Sequence, residues 1–131
     1  MSGYTKLNLV EDVDNSAEKF GMGDVLAAHF VGGDLDATQS GVSLLRLKPN
    51  QRMPFGHTHQ QQEEVYVVAG GSGRLKLDDD VLELARWDAV RIAPEVMRAL
   101  EAGAEGLELI AFGAPATGLG DAQQEMGWWT D

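Results

Sequence analysis

The chain has 131 residues, with 10 Lys and Arg side chains against 21 Asp and Glu, and its formal net charge is −11 at pH 7. A chain of this length builds one core, so we do not expect two independently packed domains. The strong negative charge repels phosphate backbones and anionic lipid. We therefore expect neither nucleic acid nor a membrane as a partner.

The sequence predicts a cytoplasmic protein. It contains no cysteine, which excludes disulfides and thiolate metal sites and fits a reducing compartment. The first residues, MSGYTKLNLVEDVD, are too polar for a secretory signal peptide. No apolar run approaches the roughly 18 residues of a membrane span.

Short apolar segments rich in β-branched residues recur along the chain, and 16 scattered glycines separate many of them. This spacing is typical of an all-β sandwich or barrel. The two ends, residues 1–20 and 120–131, show no clear pattern, although Trp128 and Trp129 should pack on the barrel or on a second subunit. The predicted strands are 25–31, 42–47, 64–69, 74–77, 81–84, 89–92, 97–100 and 107–112.

Two turns are predicted from local composition. The glycines Gly70, Gly71 and Gly73 surround Ser72 and would supply the positive φ values of a tight reversal between two strands. The acidic triplet 78–80 lies between two alternating segments, where short acidic side chains favour a solvated turn.

Two of the three histidines, His57 and His59, stand two residues apart and are followed by Glu63 and Glu64. In an extended segment, residues two apart project to the same side, so both imidazoles can converge on one point. Glu64 begins a strongly β-type stretch and can join them. Two neutral imidazoles and one carboxylate suit Fe, Mn, Ni, Co or Zn and leave positions open for water or substrate.

The segment PNQRMPFGHTHQQQEEVYVVAGGSGRL resembles the first sequence motif of the cupins, which are small double-stranded β-helix barrels with the pattern G-x5-H-x-H-x3,4-E-x6-G. His57, His59, Glu64 and Gly71 match this pattern. Glu63 fits a variant with a shorter spacing, but we favour Glu64 because the strand begins there.

Several positions of the cupin motifs are occupied by other residues. Gln51 stands at the place of the first glycine, where Asn50 is expected to supply the left-handed turn instead. The segment WDAVRIAPEVMRALEAG resembles the second motif in outline, G-x5-P-x-G-x2-H-x3-N, but Trp87 replaces its glycine. Arg98 replaces the histidine that is the fourth metal ligand in the family.

The resemblance implies one all-β cupin jelly-roll domain spanning residues 1–131. The conserved barrel would cover about 41–113, with N-terminal strands in 1–40 and a C-terminal tail in 114–131. Proteins that resemble this family commonly pair through edge strands, so we expect a homodimer.

Arg98 leaves two arrangements open, because a guanidinium has no lone pair to offer a metal. In the first, Arg98 points past a three-ligand metal site and holds an anionic or carbonyl-bearing ligand. In the second, it pairs with Glu64 in place of the metal. A surface ion pair with Glu101 is a further structural possibility. A divalent ion about 5 Å from the guanidinium would meet roughly 6–7 kcal/mol of repulsion at an effective dielectric constant of 20.

Two functions follow from these arrangements. One is a metal-dependent protein with a small-molecule ligand. The family resemblance implies an oxygenase or an isomerase for this case, and the substrate is unassigned. The other is a metal-free binding or sensing module without catalysis. We favour the metal, because two histidines and a glutamate stay in register. Arg98, Tyr66, Met53 and Phe55 are predicted to contact the ligand, with core packing as the alternative for the last three.

Overall fold

The structure is a computed structural model that describes residues 3–116 and 121–131. Within these residues the chain is all-β, apart from two short 3₁₀ turns at Ala17–Phe20 and Gly32–Leu35. No helix in the described part of the chain is long and apolar enough to cross a membrane. The strands are β1 (Leu26–Phe30), β2 (Gly41–Leu47), β3 (Phe55–His59), β4 (Glu63–Leu77), β5 (Asp80–Ala85), β6 (Ala89–Ile92), β7 (Arg98–Ala114) and β8 (Ala122–Met126).

Two long antiparallel strands, β4 and β7, form the centre of a curled sheet. They pair from Glu63 opposite Ala114 to Leu77 opposite Arg98. On the far side of β7 lies β2, followed by β1, while β5 and β6 pair with β4. Strand β3 touches β7 at one residue pair, His57 opposite Arg98, and pairs with β8 along its whole length.

The core fills the inside of the curled sheet, and strand alternation decides which side chains enter it. Tyr66 and Val68 of β4 and Leu100 of β7 are buried there. Because residues two apart share one face of a strand, Glu64 lies on the same face as Tyr66. Arg98 lies on the same face as Leu100. The alternation therefore places one acidic and one basic side chain inside the barrel.

The predicted reversal at Gly70–Gly73 is wrong, because β4 runs without a break from Glu63 to Leu77. The glycines instead accompany two irregularities in the pairing with β7. A side chain at Gly71 would collide with the carbonyl oxygen of Gly106, and one at Gly73 would collide with that of Glu101. These glycines permit close backbone approach rather than a turn. The predicted strands 97–100 and 107–112 are likewise one strand, β7.

Other local predictions have mixed outcomes. Asp78 and Asp79 of the acidic triplet form the turn between β4 and β5, with Asp78 at φ 51°, whereas Asp80 begins β5. Asn50 adopts the expected left-handed conformation at φ 61°. Trp87, at the glycine position of the second motif, has φ 75°. The tail is not irregular throughout, because residues 122–126 form β8.

The C-terminal tryptophans dock on the barrel. The guanidinium carbon of Arg52 lies 4.2 Å from the centre of the Trp129 ring, and that of Arg74 lies 5.2 Å away. Arg52 also forms an ion pair with Asp131 at 2.8 Å. Trp129 is buried, and Trp128 packs over β3.

Gly56 of β3 is expected to tolerate no side chain. A Cβ atom there would lie 2.6 Å from Cε3 of Trp128 and 3.0 Å from Sδ of Met97. Gly56→Ala should therefore lower the free energy of unfolding by about 1–3 kcal/mol, measured by urea denaturation. Gly41→Ala is the matched control, since nothing lies within 4 Å of its Cβ position. Equal losses in the two variants would contradict the packing of Trp128 on β3.

Candidate metal centre

Three of the predicted ligands meet inside the barrel. Oε1 of Glu64 lies 3.5 Å from Nε2 of His57 and 3.2 Å from Nε2 of His59. In residues 3–116 and 121–131, these three form the one group of histidine and acidic side chains whose ligand atoms all lie within 4.8 Å of one another. Glu63 points elsewhere, with its side chain 54% exposed and 3.6 Å from Arg91. Of the two candidate glutamates, Glu64 therefore faces the histidines.

Arg98 is completely buried, with 0% of its surface exposed. Its Nη1 donates a hydrogen bond to Oε1 of Glu64 at 2.7 Å. Its Nε and Nη2 donate to the backbone carbonyls of Ala93, Pro94 and Val96 at 2.8–3.2 Å. The loop before β7 thus holds the guanidinium in place, and Glu64 neutralises its charge.

These contacts distinguish the arrangements considered for Arg98. The ion pair with Glu64 expected of the second arrangement is present. The surface pairing with Glu101 is wrong, because Glu101 accepts hydrogen bonds from Arg52 at 2.8 Å and from Arg74 at 2.6 Å. Arg98 instead enters the barrel, since it shares a strand face with buried residues.

Of the other predicted ligand-binding residues, Tyr66 and Phe55 lie beside this group. The hydroxyl of Tyr66 donates to Oε1 of Glu64 at 3.3 Å, and burial raises the pKa of Tyr66 well above its ordinary value, so the phenol stays neutral. The ring of Phe55 lies 6.3 Å from that of His57. Met53 is partly buried against the core, which fits the packing alternative for this residue.

The protonation states of Glu64 and His57 are those that a metal site needs. Burial alone would raise the pKa of Glu64, but the adjacent His57 and His59 imidazoles outweigh it and hold this pKa well below its ordinary value. Burial lowers the pKa of His57, and this effect exceeds the opposite influence of Glu64. At neutral pH the group therefore has an ionised carboxylate and a neutral His57 ring, as metal ligation requires.

No sequence pattern indicates the acid that contacts His59. Nδ1 of His59 lies 3.2 Å from Oδ2 of Asp121, a residue 62 positions further along the chain. The other ring nitrogen, Nε2, is buried and has no hydrogen-bond partner among the described residues. Asp121 lies in the tail, which carries no recognisable motif, so the contact depends on the fold.

The donor set fits a divalent transition metal. Ligand atoms that share one ion at about 2.1 Å lie about 3–3.5 Å apart, which is close to the separations of Glu64 Oε1 from the two imidazole nitrogens. The Nε2 atom of His59, which has no hydrogen-bond partner in the part of the chain that the structure describes and lies 3.2 Å from the same Glu64 oxygen, can act as a nitrogen ligand. Arg98 weakens this fit, because its positive charge repels a metal ion and already neutralises the negative charge of Glu64.

Comparisons of the sequence and of the structure with known proteins give different results. No protein-family model matches the chain, and no curated protein matches it significantly. The structure, in contrast, is similar to that of a cupin protein from Bacteroides fragilis, with a TM-score of 0.71 and 27% identity over 91% of this chain and 90% of that chain. The chain is a small cupin-like protein. Its fold is therefore the jelly roll that the motif resemblance implied.

Two enzymes share the cupin fold at lower identity. An oxalate decarboxylase variant from B. subtilis has a TM-score of 0.76 and 18% identity over 92% of this chain and 33% of that chain. A salicylate 1,2-dioxygenase variant from Pseudoaminobacter salicylatoxidans, in complex with gentisate, has a TM-score of 0.66 and 18% identity over 86% and 33%. The chain thus spans about a third of each enzyme, and at this identity the similarity concerns the fold.

Proposed function

We propose that this cupin-like barrel binds one divalent transition metal through His57, His59 and Glu64, together with a small anionic or carbonyl-bearing ligand. The observation that carries the proposal is the unpartnered, buried Nε2 of His59, 3.2 Å from Oε1 of Glu64. With the ring proton on Nδ1, the lone pair of Nε2 would face this ionised carboxylate oxygen, and the two atoms would repel each other. A cation between them removes the repulsion and satisfies both atoms.

Charge favours an anionic ligand. The charges of Glu64 and Arg98 cancel, so a divalent ion would add two positive charges inside the barrel, of which the carboxylate of Asp121 beside His59 offsets one. Burying such charge is costly, and a carboxylate ligand offsets it. The two enzymes with the same fold are named for salicylate and oxalate, which supports this ligand class. A bound divalent ion would act as a Lewis acid on an oxygen of the ligand.

A second candidate function rests on Arg98. Its Nη1 lies 2.7 Å from Oε1 of Glu64, where it supplies the positive charge that a metal would otherwise provide. In this alternative the barrel is a metal-free module that binds or senses a small molecule without catalysis. The oxygenase or isomerase activity, the homodimer and the cytoplasmic location stay predictions.

Elemental analysis of protein purified without a histidine tag tests the metal. We expect near-stoichiometric metal after incubation with Ni²⁺ and dialysis, and its loss in His57→Ala. Thr58→Ala is the matched control, because its side chain points to the opposite face of β3. A wild-type protein that retains no metal after this treatment would contradict the proposal and favour the metal-free module.

A further inference from the structure

The side chain of Asp121 is buried beside the loop that joins β3 to β4. Its carboxylate accepts hydrogen bonds from the backbone N–H groups of Gln60, Gln61 and Gln62, at 3.0–3.3 Å. Hydrogen bonds from several backbone N–H groups favour the ionised form of a carboxylate. An ionised carboxylate accepts hydrogen bonds and donates none.

This acceptor faces one nitrogen of a metal-centre histidine. Oδ2 of Asp121 lies 3.2 Å from Nδ1 of His59, and an acceptor at this position places a ring proton on Nδ1. The other nitrogen, Nε2, is then the one that can offer a lone pair to a metal. That nitrogen is the buried atom without a hydrogen-bond partner, 3.2 Å from Oε1 of Glu64.

We propose that Asp121 is a positioning residue that holds His59 as the Nδ1–H tautomer, with Nε2 presented to the metal centre. The backbone hydrogen bonds to residues 60–62 fix the carboxylate, and the carboxylate fixes the ring. The predicted effect on metal affinity rests on the proposed function. The tautomer does not, because it is a property of the metal-free protein.

Asp121→Asn tests the tautomer, because Asn keeps the shape of the Asp side chain and changes its hydrogen-bonding groups. With the amide nitrogen at the Oδ2 position, the amide oxygen still accepts from the N–H groups of Gln60 and Gln61, the hydrogen bond from Gln62 is lost, and the nitrogen faces His59 as a donor. Nδ1 must then carry a lone pair, and the proton moves to Nε2, where it is donated to Glu64. We expect the variant to fold, to show the opposite tautomer and to bind Ni²⁺ about 10–100-fold more weakly.

The tautomer is measured by ¹⁵N chemical shifts of the imidazole rings in metal-free protein at mildly alkaline pH, with His59→Gln to assign the signals. Ni²⁺ affinity is measured by calorimetry on tag-free protein. Glu63→Gln is the matched control, since it makes the same chemical change at a neighbouring carboxylate that contacts Arg91 instead. The control should alter neither the tautomer nor the affinity.

The outcomes distinguish the two proposals. An Nδ1–H signal in the wild type that inverts in Asp121→Asn supports the positioning role, even if the wild type binds no Ni²⁺ and the proposed function fails. An Nε2–H signal in the wild type overturns the positioning role without any variant. Ni²⁺ affinity and tautomer that are both unchanged in a folded Asp121→Asn also overturn it, while leaving the metal centre intact.

Discussion

Glu64→Gln is expected to lower the free energy of unfolding by about 3–5 kcal/mol, because it removes the negative charge that neutralises a buried guanidinium. Arg98 is fully buried, and its Nη1 lies 2.7 Å from Oε1 of Glu64. Gln has nearly the same shape as Glu, so the loss is one of charge and not of packing. Urea unfolding of the metal-free protein measures the change.

Glu63→Gln is the control for this substitution, because Glu63 precedes Glu64 in β4 but faces solvent. Its contact with Arg91 is 3.6 Å long and exposed, so the expected change is within about 1 kcal/mol. If both variants unfold at the same urea concentration, the carbonyls of the loop before β7 suffice to hold Arg98, and Glu64 is not needed for its burial.

Arg98→His is expected to tighten Ni²⁺ binding by about a hundredfold, because it replaces a repelling charge with a fourth nitrogen donor. In the metal-free state the same change leaves Glu64 without the partner it has at 2.7 Å, so the variant should be less stable than the wild type. Added Ni²⁺ should restore the lost stability. Calorimetric titration and thermal unfolding with and without Ni²⁺ measure the two effects.

Arg91→His provides the comparison, because it introduces the same side chain at an exposed arginine of β6. It adds an imidazole without altering the charge beside Glu64. Equal Ni²⁺ affinities for the two variants would show that the side chain at position 98 does not act on the bound ion. Tighter binding in Arg98→His alone would show that it does.

The strands that local sequence predicts well are those with independent turns at both ends. The predicted segments 42–47 and 89–92 lie within one residue of β2 and β6, because alternation and turn residues bound them. The two longest strands were each predicted in two pieces. Glycines such as Gly71 usually end a strand, but here they allow β4 to pass close to β7. Such close approach depends on tertiary pairing.

The candidate metal centre also contains residues that can be predicted from the sequence and residues that cannot. His57, His59 and Glu64 could be predicted together because they lie in one short segment whose alternation orients them. Arg98 could be located by its motif position, but the sequence does not say which acceptors its donors find. Asp121 could not be predicted, since its contact with His59 spans 62 residues and depends on the docking of the tail.

The pairing of strand β3 affects the order in which the barrel assembles during synthesis. It pairs with β8 at five positions and with β7 at one, so β8 supplies most of its backbone partners. Before residue 126 has left the ribosome, β3 is an edge strand with free N–H and C=O groups. Its two imidazoles emerge long before they can be held in place. We therefore expect the proposed metal centre of a nascent chain to form late, after β8 has paired with β3.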